Sequence, residues 1–163
     1  MTTSSIIKQF TPTARVWIYA ANKPFAQQDI SAVQTQLNLF AKNWASHNNQ
    51  LTAAGELLYN RFVVLTIDEA QMSASGCSID SSVNFIKELG AQYNRDLFDR
   101  FRFSYIDKDG VVQTVSKDEF SDLYAKGNIT DETIVFDPLV NTVAALETSF
   151  QKPLKDSWHK RFV

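Results

Sequence analysis

Residues 60–82 read NRFVVLTIDEAQMSASGCSIDSS, and the rest of the chain is organised around them. Phe62 to Ile67 is a continuous apolar run of strand length. A strand with one wet face alternates apolar and polar residues, so an unbroken run predicts burial on both faces and a central place in a sheet. The run ends in two carboxylates, Asp68 and Glu69, and a loop of small residues follows. That loop delivers the sole cysteine, Cys77, to the first turn of a helix predicted from Ser78 to about Gln92. Its apolar face carries Ile79, Val83, Ile86, Leu89 and Tyr93, and Gly90 weakens its end.

Upstream, Arg15 to Tyr19 (RVWIY) is β-branched and aromatic and predicts a first strand, which Asn22, Lys23 and Pro24 end. From about Gln27 to Ser46, Ile30, Val33, Leu37, Phe40, Ala41 and Trp44 fall on one face of an amphipathic helix. Leu51 to Tyr59 reads as a strand or a short helix; the turn-like Asn60 and the strand after it favour a hairpin. Downstream, residues 94–100 read as a turn or irregular helix. Phe101–Ile106 and Val111–Val115 then flank Asp107-Lys-Asp-Gly110, a hairpin turn. Ser116 to Glu119 (SKDE) is a capping box that starts a short helix ended by Gly127. Thr133 to Phe136 is a last strand, closed by Pro138. The expectation is an α+β fold in one compact domain over residues 1–163, in the order β-α-β-β-α-β-β-α-β, with an irregular tail from about 138. The first six elements match the ferredoxin-like βαββαβ pattern.

Composition narrows the function classes. The chain has 163 residues, 44% of them hydrophobic and 12% aromatic, enough for a core without metal or disulfide staples. A formal net charge of −2 implies no general attraction to nucleic acid or anionic membrane. One cysteine excludes an internal disulfide framework and fits a reducing compartment. MTTSSIIKQF has no basic start and no long apolar core, so it is not a secretory signal, and no stretch approaches the roughly 20 apolar residues of a membrane span. A soluble, cytoplasmic protein without direct membrane insertion is expected.

VVLTIDE resembles the magnesium-binding strand of a P-loop ATPase, but that chemistry needs a GxxxxGK[ST] phosphate cradle. None of the five glycines, at 55, 76, 90, 110 and 127, is followed by Lys and Ser or Thr. Cys77 is the sharper candidate. A thiol at a helix start sits among donors that favour thiolate, here with Ser75, Gly76 and Ser78 around it. As a nucleophile it needs a base, and only His47 and His159 are available. The alternative is a small buried residue that starts a helix. Asp80 either complements the helix start or joins Asp68 and Glu69 in a site for Mg²⁺ or Mn²⁺, with Asp137 as a fourth ligand. No other cofactor is implied. Asp107 to Gly110 fails the EF-hand register, which would put Tyr105 at position one and Ser116 at twelve. Two His and one Cys cannot build a zinc finger. Residues 152–161 carry four Lys or Arg against one Asp, a solvated face or a contact for an acidic partner, while Trp158 and Phe162 are expected to pack on the body.

RVWIY, YNRFVVLTIDE, SGCSIDSSVNFI, TIVFDPLVN and WHKRF together resemble a family of short bacterial proteins often labelled "ABC transporter ATPase". The resemblance covers nearly the whole chain, and SGCSIDSS and WHKRF are its distinctive parts. The label implies nucleotide hydrolysis, which the missing phosphate loop does not support. It carries no catalytic residues over to this chain. Three readings follow in order: a small ligand-binding or protein-interaction module with a cleft where the Asp68–Glu69 strand end meets the Cys77 loop; a Cys77-dependent enzyme; and a divalent-metal phosphohydrolase using Asp68, Glu69 and Asp80. The binding module predicts an exposed apolar patch with Cys77 sealed in packing.

Overall fold

The computed structural model describes residues 4–46, 48–70 and 72–163. A short helix α1 (Ser5–Gln9) precedes β1 (Arg15–Ala20), and a 3₁₀ turn leads into α2 (Ile30–Asn43). A minimal hairpin, β2 (Ala45–Ser46) and β3 (Asn49–Gln50), is followed by β4 (Thr52–Leu58), β5 (Phe62–Asp68) and the long α3 (Gly76–Tyr93). Then come β6 (Arg102–Ile106), β7 (Val112–Ser116), α4 (Lys117–Ala125), β8 (Ile134–Phe136), α5 (Val143–Ser149) and β9 (Gln151–Pro153). The α+β class and the nine predicted elements are present, including the strand near residue 55. The stretch after 138, read as an irregular tail, holds α5, β9 and two 3₁₀ segments.

β5 lies at the centre of the first sheet, in the antiparallel order β1-β5-β4. Its apolar run is explained by burial on both faces. Val63, Leu65 and Ile67 pack with Val33 and Leu37 of α2 and Ile86 and Leu89 of α3. Phe62 and Val64 point the other way, onto Ile6, Val143, Leu146, Phe136 and Phe150. Replacing the fully buried Leu65 by Ala would cost about 2–5 kcal/mol. The β4–β5 connection turns at residues 58–61, closed by the Arg61 N–H on the Leu58 carbonyl at 3.1 Å, with Tyr59 (φ 52) and Asn60 (φ 58) both in the left-handed region as the central residues of a type I′ turn. Tyr59 tolerates that backbone because its ring packs edge-on to Phe136 at 5.0 Å and its hydroxyl bonds Gln151.

In a ferredoxin-like sheet, β6 would lie beside β1. Here it joins a second sheet, in the order β7-β6-β8-β9. Two local reasons are visible. The Asp107 turn commits β6 to β7, with Gly110 at φ 78 and the Asp107 carboxylate accepting the N–H groups of Asp109 and Val111. The start of the β1 edge is already taken, because Val16 donates its N–H to the Asn141 carbonyl at 3.0 Å. The second sheet has its own core of Phe103, Phe120, Ile129, Val135 and Leu154, on which Trp158 and Phe162 pack as expected.

Candidate functional site

The carboxylates that end β5 are engaged locally. Asp68 accepts the N–H of Ala70 at 3.0 Å. Glu69 accepts the N–H of Ala74 at 2.9 Å and lies 3.8 Å from the Arg15 guanidinium. These bonds hold the loop that leads into α3. Ser75 caps that helix and Ser78 completes the capping box, so both hydroxyls serve the helix start. Trp44 Nε1 donates to the Ser78 carbonyl at 2.8 Å and ties the same turn to the end of α2. Gly76, Cys77 and Asp80 lie on the outside of this turn, and the Cys77 sulfur is in an exposed residue rather than sealed in packing.

The other candidates lie elsewhere. His47 falls outside the described residues. His159 is 1% exposed, stacked on Trp158 at 3.8 Å and edge-on to Phe103 at 4.9 Å. Its Nδ1 is 2.5 Å from the Ser157 hydroxyl. Burial drives its pKa down to about 4, against a raising effect from Asp137, so the ring is neutral at pH 7. Its partners Ser157, Phe103, Phe120 and Trp158 all belong to the second sheet and its flanking segments, and none is Cys77. Asp137 sits there too. Burial alone would raise its pKa, yet Lys152 at 2.8 Å, Trp158 Nε1 at 2.8 Å and the Leu139 N–H hold the carboxyl below its ordinary value. Among the described residues, no group of three or more His, Cys, Asp or Glu is placed to hold a metal ion.

Two concave surfaces stand out. One, of about 540 Å³, runs between α2 and α3, lined by Leu39, Phe40, Trp44, Ser81 and Phe85 among others. Cys77, Ser81 and Phe85 follow one another at four-residue spacing on α3, so this groove extends the face that carries the thiol. The other, of about 410 Å³, lies at the seam between the sheets. Ile18, Tyr19 and Ala20 of β1 form one wall; residues 97–102, Pro138, Leu139, Trp158 and Arg161 form the rest. Five large hydrophobic side chains are exposed among the described residues, and three of them line this cleft: Phe98 at 42%, Phe101 at 54% and Leu139 at 64%.

The seam cleft was not read from the sequence, because its walls come from segments far apart in the chain. The available signal was local: FDRF at 98–101 puts two aromatics in a stretch read as a turn, where apolar rings have little core to enter. No family model matches the chain, and no curated protein or solved structure matches it either.

Proposed function

We propose that this chain is a protein-interaction module whose docking site is the cleft at the seam between the two sheets. The observation that carries the reading is the gathering of Phe98, Phe101 and Leu139 around the open middle of β1. Single exposed apolar residues are ordinary, but several converging on one concavity mark a surface that is covered by something else. The candidate catalytic groups support it from the other side: Asp68, Glu69, Ser75 and Ser78 each have a structural bond to make, and His159 is neutral and packed. This moves the binding site away from the Asp68–Glu69 strand end, to a place formed by β1 and the segments beside it. The same reading has the module working in the cytoplasm; one cysteine fits a reducing compartment, and no helix among the described residues is long and apolar enough to cross a membrane.

An exposed Cys77 at the start of α3 favours thiol chemistry as the second reading, with the loop amides as oxyanion donors.

Selection of random peptides displayed on phage tests the first reading. Peptides enriched on the wild-type chain should lose binding to a Phe101→Glu, Leu139→Glu double variant that keeps the wild-type melting temperature. Equal binding to both proteins would overturn the site.

A further inference from the structure

Resting on that reading, we infer that the cleft takes an extended acidic peptide segment of a partner protein, added as a strand to the free edge of β1. The backbone supplies the first argument. Successive residues of a strand send their N–H and C=O groups to opposite sides. Val16 donates outward to Asn141 and Asn22 donates outward to Asp96, both at 3.0 Å, while Ala21 donates inward to Arg61 at 2.8 Å. Ile18 and Ala20 share the outward parity of Val16 and Asn22, and both line the cleft. They have no backbone partner there among the described residues. The edge is therefore pinned at both ends and open between them. At about 3.3 Å per residue, the window from Val16 to Asn22 admits a strand of about five residues.

The opposite edge of the same sheet is covered at its middle. Gln34 of α2 donates to the Gly55 carbonyl and accepts from the Leu57 N–H, both at 3.0 Å, occupying the β4 edge with a side-chain amide. An unpaired edge invites uncontrolled pairing unless it is covered or recessed. The β1 edge is recessed: it opens only into a cleft whose far wall offers Phe98, Phe101 and Leu139 to alternate side chains of an added strand.

Charge decides what kind of strand. The chain as a whole carries −2, yet Arg100, Arg102 and Arg161 line the cleft against Asp99 alone. Arg102 is paired with Asp99 at 3.2 Å, which leaves Arg100 and Arg161 without an ion-pair partner among the described residues. The basic tail makes the same point: Lys152, Lys155 and Lys160 are each ion-paired within the chain, and Arg161 is not. These two guanidiniums complement an acidic segment. They also disfavour a second copy, because pairing two β1 edges symmetrically would bring Arg100 and Arg161 close to their own counterparts.

The test is a nuclear magnetic resonance titration of the full chain with an eight-residue peptide alternating Val with Asp or Glu, and with the same peptide carrying Lys at the charged positions. The acidic peptide should shift the Ile18 and Ala20 amides and slow their hydrogen exchange at least about tenfold. The Lys peptide, or an Arg100→Glu, Arg161→Glu variant with the acidic one, should bind about tenfold or more weaker. Methylating alternate backbone nitrogens of the acidic peptide should abolish binding. Equal binding of the two charge forms, or shifts at Phe98, Phe101 and Leu139 with Ile18 and Ala20 unmoved, would overturn the inference while leaving the docking site standing. So would concentration-dependent broadening of Ile18 and Ala20 without peptide, the mark of a second copy. Silence of every cleft residue, together with phage peptides indifferent to the Phe101→Glu, Leu139→Glu changes, would remove both.

Discussion

Burying His159 between Trp158 and Phe103 makes the fold sensitive to mild acid. Its pKa falls from 6.5 to about 4 on folding, so between those values the unfolded chain binds a proton that the folded chain refuses. Stability is full above that window and falls as pH drops through it, by about 3 kcal/mol for this group. Asp137 behaves in a separate window: its carboxyl is held below the ordinary 3.8, so its contribution is lost only at still lower pH. Melting curves from pH 7 to 4 should show the His159 decline, and His159→Phe should flatten it; an unchanged slope would refute the assignment. The residue types WHKRF gave no sign of this, because a histidine in a basic stretch looks solvated until the ring it stacks on is known. Cys77 is the opposite case. Its sequence context fits a buried residue or a nucleophile, and it is exposed. Iodoacetamide should label it in the native protein, and Cys77→Ser should change stability by less than about 0.5 kcal/mol. Labelling only after unfolding would contradict that exposure.

Individual elements were readable wherever one face had to be apolar. The α2 stripe and the β5 run each announced a buried surface, the α3 stripe did so only from Ile86 onward because Ser78 and Ser82 rather than Ile79 and Val83 are buried in its first turns, and the Asp107 turn and the Ser116 cap marked where the chain reverses or starts a helix. The short α1 was not readable: its five residues are too few to show a helical period, and the local Ser4 cap on the Ile7 N–H, at 3.4 Å, is itself held from outside. Glu56 of β4 accepts the Ser5 N–H at 2.8 Å and the Ser4 hydroxyl at 2.6 Å, a contact across about 50 residues of sequence. Glu56→Ala should loosen α1, seen as faster hydrogen exchange at Ile6 and Ile7 and a loss of about 1 kcal/mol. Gly90 carried more meaning than a weak helix end. The chain passes through it, turns at Asn94 (φ 54) and returns so closely that a Cβ at Gly90 would meet the Arg95 carbonyl oxygen at 2.6 Å. Gly90→Ala should therefore destabilise by about 1–3 kcal/mol, against the helix-propensity gain, while Gly76→Ala, with open space around it, should not. Equal melting temperatures for the two variants would show that the α3 exit is looser than this.

The order of elements does not reveal which sheet a strand joins. β6 has the composition to extend the first sheet beyond β1, and its neighbours decide otherwise: the tight turn gives it β7, and residues 141–142 reach the β1 edge first. The seam cleft is the consequence of that choice. It occupies the flank of β1 that a ferredoxin-like arrangement would fill with its own chain, and so no motif within one segment could signal it. The Cys77 loop, by contrast, was conspicuous in sequence because its parts are contiguous, and most of its polar groups turn out to hold the start of α3. Strand docking at the cleft requires an open β1 edge, and amide hydrogen exchange on the free protein reads this directly. Ile18 and Ala20 should exchange much faster than Trp17 and Tyr19, whose amides face β5 in the same strand. Equal protection of all four would mean that the edge is already paired and that the cleft has no strand to add to.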